Sequence, residues 1–423
     1  MSAMAETRSR RPRRRFTDEF KQQAVRSHTT SIGGWIRAFF DRVRSGDLGS
    51  LPVIVGLLLI WTVFTALNPV FVSSANLVNM LFDSSTVGVI SLGIVCVLMV
   101  GEIDLSVGSV SGFASAMLGV LWVNHGWPVW FAVLAALAVG AIFGSVYALL
   151  FNRLGMPSFV STLSGLLAIL GLQLYLLNKT GSINLPYGSW VVDFGQTMIM
   201  PKIVSYGLAL LPGVIMLWTG YQSIVRRRAA NLSAPSLSGL VFKAILITVL
   251  IEAVVFYLNQ SRGIPWMFGL FAGLVIAMNY AFTRTKWGRA MTAVGGNREA
   301  ARRSGINVRM IYASAFVLCS VLASFGGILA ASRLASSSEQ AGTGDVNLNA
   351  IAAAVIGGTS LFGGRGSAYS ALLGIIVIQS ISNGLTLLDL SSALRYMITG
   401  GVLAVAVIID SLARKSRVSH GRA

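Results

Sequence analysis

Long apolar runs separated by short polar stretches dominate the chain. Leu51–Leu67, Thr86–Val100, Val107–Asn124, Val129–Phe151, Phe159–Leu177, Ile203–Tyr221, Leu240–Leu258, Pro265–Phe282, Met310–Ala331, Tyr369–Leu387 and Leu394–Leu412 are nearly continuous in apolar residues. A bilayer core about 30 Å thick takes roughly 20 apolar residues in a helix, and these runs have that size. Their apolar positions are continuous and do not alternate, which excludes the strands of a membrane barrel. A shorter run, Ala350–Phe362, is either a half-buried or a re-entrant segment. The pattern predicts an all-α, polytopic helical membrane protein with about twelve apolar segments, one of them a candidate re-entrant segment.

Composition agrees: 54% of residues are hydrophobic, 11% are charged, and the mean hydropathy is +0.72. The net charge of +18 points to nucleic acid only until its distribution is read. Basic residues gather in Arg8–Arg15, Arg226–Arg228, Arg284–Arg309 and Arg414–Arg422, whereas Pro69–Ser85, Asn178–Lys202 and Ser332–Asn349 hold almost none. The positive-inside rule then puts both termini and all four clusters in the cytoplasm, with the basic-poor loops outside. That arrangement needs an even number of spans and counts Ala350–Phe362 as one. Three regions follow: a basic tail (1–48), a transmembrane domain (49–412) with a charged segment at 284–309, and a short tail (413–423).

The first tail is too charged for a signal peptide. Within it, RRRFTDEFKQQAVR (Arg13–Arg26) resembles the opening of a transposase helix-turn-helix, but no recognition helix follows. A solvated tail near anionic lipid headgroups is the simpler account, with no nucleic acid as partner. Cys96 and Cys319 lie in separate spans, and His28, His125 and His420 are scattered, so neither a disulfide, a metal set nor a catalytic constellation is expected. No Lys follows a Gly, which excludes the P-loop and ATP hydrolysis by that route. Acidic residues inside the spans are few, Glu252 plus Glu102 and Asp104 at a helix break, which is thin support for an ion-coupled carrier.

One charged segment stands out, GGNREAARRSGINV from Gly295 to Val308. Asn297 suits an N-cap, Glu299 complements the positive helix end, and Arg302 and Arg303 suit the last turn. Gly305 supplies a left-handed stop. The resulting helix of about two turns is too short to stand alone in water and must dock. Ala300 and Ala301 in its middle are small enough for close approach, with Ile306 as an apolar plug just beyond.

A second feature is the polar interruption GEIDLSVGS (Gly101–Ser109). Asp104 there either caps a helix beginning at Leu105 or lines a path, with Ser106 and Ser109 on one face; Glu102 is the second acid of this break. In AIAAAVIGGTSLFGGRGS (Ala350–Ser367), Gly357, Gly358, Thr359 and Ser360 either pack helices closely or face a path. Gln379 and Asn383, four apart, put two amides on one helix face.

AVGGNREAARRSGINV (Ala293–Val308), GEIDLSVGS and AIAAAVIGGTSLFGGRGS, in that family's order, resemble motifs of the sugar permeases of ATP-binding-cassette importers, the ribose/xylose type. Glu102 replaces the family's second glycine, as in the xylose branch. The enlarged region between Asn178 and Gly263, with VRRRAANLSAPS (Val225–Ser236), also resembles xylose permeases. The resemblance spans residues 50–412 and implies a transporter subunit of a bacterial cytoplasmic (inner) membrane with no catalysis of its own. It implies that Gly295, Gly296, Asn297, Glu299, Ala300, Ala301, Gly305 and Ile306 dock on a separate cytoplasmic ATPase, which holds ATP and Mg. It further implies an external sugar-binding protein, a permease homodimer, surrounding membrane lipid and a pentose as cargo. An ion-coupled secondary sugar carrier is the alternative.

Overall fold

The computed structural model describes residues 51–408 except 179, 180, 231, 233, 392, 396, 402, 403 and 405–407. Both tails and most of the expected last span, Leu394–Leu412, lie outside the described residues. Among the described residues the named α-helices are, in order, α1 (Leu51–Leu67), α2 (Ser74–Met99), α3 (Val107–Gly119), α4 (Val129–Leu154), α5 (Ser158–Leu177), α6 (Trp190–Gln196), α7 (Lys202–Ala229), α8 (Leu237–Leu258), α9 (Trp266–Arg284), α10 (Lys286–Gly296), α11 (Arg298–Arg303), α12 (Val308–Leu334), α13 (Val346–Ile356) and α14 (Ala368–Leu387). The fold is that of a polytopic helical membrane protein: among the described residues nine helices are long and apolar enough to cross a bilayer. Two short strands, β1 (Ser182–Asn184) and β2 (Ser336–Ser338), pair antiparallel with Ile183 opposite Ser337.

Helices α2 and α12 form the centre, packed on each other and on α3, α4, α13 and α14. Their sequences explain this. In α2 the buried residues run round the whole helix from Ser84 to Met99, while α4 buries a single stripe of Ala132, Ala136, Gly140, Gly144 and Tyr147. Small residues let backbones approach without a hydrophobic driving force. Any side chain at Gly93 would meet the Cys319 backbone, and one at Gly144 would meet Val317.

The expected loop Pro69–Ser85 is not one. After a short turn at Pro69–Val72, α2 begins at Ser74 and runs on through Asp83, Ser84 and Ser85. These polar residues weaken the apolar signal but are accommodated: Asn76 pairs with Asn383 through both amides at 2.7 and 3.0 Å, and Asp83 meets Arg333 at 2.8 Å.

Helix α13 is half-length: at 1.5 Å per residue its 11 residues rise only about 16 Å, short of a bilayer core, whereas α3 runs on through a wider helical turn to Asn124 and so reaches 18 residues. The chain between β2 and α13 runs back along α3: Ser337 Oγ donates to the Ser115 carbonyl at 2.6 Å, and Gly108 N–H donates to Asn347 Oδ1. The Gln173 Nε2 amide hydrogens, from α5, reach the carbonyls of Ser338 and Ala341, both at 3.0 Å, satisfying this irregular backbone. The helix expected within Ala350–Phe362 is therefore α13, starting earlier at Val346 and stopping at Ile356, where Gly357 and Gly358 end it.

Residues 207–253, the larger parts of α7 and α8, form a separate compact unit. Within it the two helices pack where Gly213 faces Thr248 and Gly220 faces Leu240.

Candidate functional site

The corner between α9 and α12 is built as its sequence suggests. Asn297 adopts an extended conformation (φ −158°), and its Oδ1 accepts the Ala300 N–H at 2.9 Å. The carboxylate of Glu299 takes hydrogen bonds from Arg302 at 3.0 Å and Arg303 at 3.2 Å. Those two partners hold its carboxyl below the usual range. At the far end Gly305 is left-handed (φ +85°), and Ile306 N–H donates to the Ala301 carbonyl at 3.1 Å. Both ends of α11 are thus satisfied locally, which offsets its lack of length.

The orientation of α11 corrects one expectation. Ala301 is only 3% exposed and packs into the core of its own chain, so it is not a surface for another protein. Ile306 is half-buried, with part of its side chain packed against the same core. The reason is helical geometry: one stripe of so short a helix must be used to seat it. Gly296, Asn297, Glu299, Ala300, Arg302, Arg303 and Gly305 remain exposed.

The three motifs meet in space. The Gly364 N–H donates to the Met99 carbonyl, at the end of α2, at 3.0 Å. Gly295 of α10 lies against both of these groups, and any Cβ there would overlap the Met99 oxygen. Gly363 lies against Gly101 and the Gly295 carbonyl. Three backbones therefore touch with no side chain between them. The glycines of all three motifs were visible in the sequence, but nothing in their spacing says that they converge.

The break after α2 is fastened by side chains. Asp104 is 1% exposed, and its Oδ1 accepts from Ser106 N at 2.8 Å and Ser106 Oγ at 2.7 Å. This is a local turn preceding the helix; α3 starts at Val107, with Ser106 and not Asp104 in the cap position. The Leu105 N–H donates to Thr162 Oγ1 at 3.2 Å, and Ser158 Oγ donates to Glu102 Oε2 at 2.6 Å. Ser109 Oγ donates to the Ser106 carbonyl at 2.9 Å. Asp104, Ser106 and Ser109 are buried among these bonds, and the anchors Ser158 and Thr162 on α5 were not anticipated from sequence.

In the second glycine-rich segment, Gly357 lies on the Ser370 backbone and Gly358 has φ +107°. Thr359 is buried, with its N–H on the Ala354 carbonyl at 3.0 Å, and the Ser360 N–H reaches the Arg365 carbonyl at 3.0 Å. Asn383 is occupied by Asn76, and Gln379 is half-buried on the same helix.

The sequence profile of a family described as branched-chain amino acid transport system / permease component matches residues 76–407. The chain belongs to this permease family. The xylose transport system permease protein XylH of Haemophilus influenzae is 33% identical over 375 residues, covering 88% of this chain and 99% of the relative. The ribose import permease protein RbsC of Escherichia coli is 30% identical over 389 residues, covering 90% and 98%. The probable ABC transporter permease protein YphD of Escherichia coli is 31% identical over 368 residues, covering 87% and 91%. No solved structure matches. The permease's likeness to ribose- and xylose-type relatives thus extends well beyond the three motifs.

Proposed function

We propose that this permease forms the membrane path of an ATP-driven importer of a monosaccharide, with a pentose, D-xylose first, as cargo. ATP and Mg²⁺ bind a separate ATPase subunit, which docks on the exposed face of α11 around Ala300. An external binding protein delivers the sugar, and a second copy of the permease completes the path. Both termini, Arg226–Arg228 and α10–α11 face the cytoplasm, because one orientation then satisfies every basic cluster. The names of the xylose and ribose relatives support the cargo. The observation that carries the reading is α11 itself: a capped, ion-paired helix seated by Ala301, with Ala300 outward and both breaks touching Gly295. A partner that moves this corner acts directly on the two interruptions of the spans.

The alternative of ion-coupled transport draws no support from the acids of the break, which are held by Ser106 and Ser158. The test is cross-linking: Ala300→Cys with a cysteine scanned over the ATPase subunit's surface. A specific disulfide-linked pair is expected, and its absence across the scan overturns the docking.

A further inference from the structure

Helices α3 and α13 start at one place inside the bundle and run apart. The Gly108 N–H, in the first turn of α3, donates to Oδ1 of Asn347, in the first turn of α13. A turn further along α3, Gly327 of α12 packs on the Ser111 backbone, and the adjacent Gly326 lies on the Thr86 carbonyl, near the middle of α2. The meeting point is therefore deep in the membrane. From it α3 runs to the β1–β2 hairpin, where Gly119 faces Ser337. Helix α13 leads the other way, to Gly357 on the Ser370 backbone at the start of α14. Both helices thus turn their positive ends toward this point.

The first turn of α13 is open on one side. Leu348 is 54% exposed, and Asp345 and Asn347 are half-buried beside it. The Asp345 carboxylate takes a hydrogen bond from Asn349 Nδ2 at 2.9 Å and meets no cation among the described residues. Asn349 itself is 9% exposed, with its amide aimed at this helix start and its Oδ1 left without a partner. Asn347 commits its Oδ1 to Gly108, which leaves its Nδ2 for another acceptor. A carboxylate and an amide facing hydrocarbon at this depth are costly, and irregular chain such as Gly342–Asp345 is tolerated there only within protein or beside water. The open side of α13 therefore borders a water-filled space.

We propose that the first turn of α13 lines the sugar path at the middle of the membrane and touches the cargo. Asp345 accepts hydroxyl hydrogens, Nδ2 of Asn347 donates to a sugar oxygen, and Leu348 lies against the C–H face of the ring. A neutral, polyhydroxylated ligand needs this mixture of acceptor, donor and apolar surface. The assignment rests on the importer reading above and adds to it the residues that meet the sugar.

The experiment uses the full-length permease reconstituted in proteoliposomes with its ATPase subunit and sugar-binding protein. Leu348→Cys is treated with a charged methanethiosulfonate reagent, which needs a thiol in water. The cysteine should react, and turnover with the sugar taken up should slow the reaction severalfold. No reaction, or a rate that sugar does not change, overturns the proposal. Asp345→Asn is compared with the unaltered permease at equal amounts of folded protein. It should keep the ATP hydrolysis stimulated by sugar-loaded binding protein and lose about tenfold in sugar uptake, as loss of a hydrogen bond to a charged group does. Unchanged uptake, or parallel loss of hydrolysis and uptake, would contradict a sugar contact. If the unaltered complex takes up neither labelled D-xylose nor labelled D-ribose, the importer reading beneath the proposal falls instead.

Discussion

The charged corner at α10–α11 and the break at Gly101–Ser106 are alike in sequence, both short, polar and glycine-bearing in an apolar chain, and opposite in construction. The corner turns Glu299, Ala300, Arg302 and Arg303 outward and is seated by Ala301. The break turns Asp104 and Ser106 inward, onto each other, and Glu102 and Leu105 onto Ser158 and Thr162. Polar residues in such a chain thus serve two ends. Outward, they leave charged side chains exposed at the end of the spans. Inward, they satisfy backbone groups freed where a helix is interrupted.

The sharpest way to break this contrast is a charge on either side of α11. Ala301→Glu buries an unpaired carboxylate in the core, a cost of several kcal/mol that the fold cannot absorb. The variant should fail to accumulate in the membrane, measured by fluorescence-detected gel filtration. Ala300→Glu, one residue away, should accumulate normally and lose sugar-stimulated ATP hydrolysis. Equal behaviour of the two would erase the inside–outside distinction.

Neighbouring glycines give the next effect. A methyl at Gly295 overlaps the Met99 carbonyl oxygen and crowds the Gly364 amide, whereas one at Gly296 meets nothing within 4 Å. Gly295→Ala should destabilise by about 1–3 kcal/mol, as overpacking does. Gly296→Ala should leave the thermal midpoint unchanged or raised. The comparison is a melting curve in detergent for each.

At the break, Asp104→Ala removes the acceptor of the Ser106 N–H and should cost about 1–3 kcal/mol. Asp104→Asn keeps an Oδ1 acceptor and should lose less in the same melting assay. An Asn variant as unstable as the Ala one would mean that the charge, not the turn, is needed.

The smallest effect belongs to Glu299. Its folded-state carboxyl lies below the usual range, so its contribution is present above the ordinary carboxylate range and disappears as pH falls through the folded value. Glu299→Gln should therefore differ from the unaltered protein near neutrality and converge with it in acid, read by helix-corner cross-linking across pH. The difference should be slight, because all three side chains are exposed.

Much of this was legible from periodicity and composition. The long apolar runs marked the spans, and Asn297 and Gly305 marked both ends of α11, because caps are local chemistry. The failures are equally physical. Asn76, Asp83, Ser84 and Ser85 disguised the first half of α2, since a sequence does not show that Asn383 and Arg333 stand opposite two of them. Ala301 looked like Ala300, because which stripe of a short helix is seated depends on what lies beneath it. The meeting of Gly101, Gly295 and Gly363 was hidden for the same reason: close backbone approach explains glycines only once the partners are known.

The central claim is that work done on α11 by a separate ATPase drives import. It is tested most directly by sugar uptake into proteoliposomes holding the permease and its ATPase subunit, with binding protein and labelled D-xylose outside and ATP sealed within. Uptake should require the enclosed ATP and the ATPase subunit, and should persist when a protonophore collapses the proton gradient. Uptake by the permease alone, abolished by the protonophore and indifferent to ATP, would contradict the account.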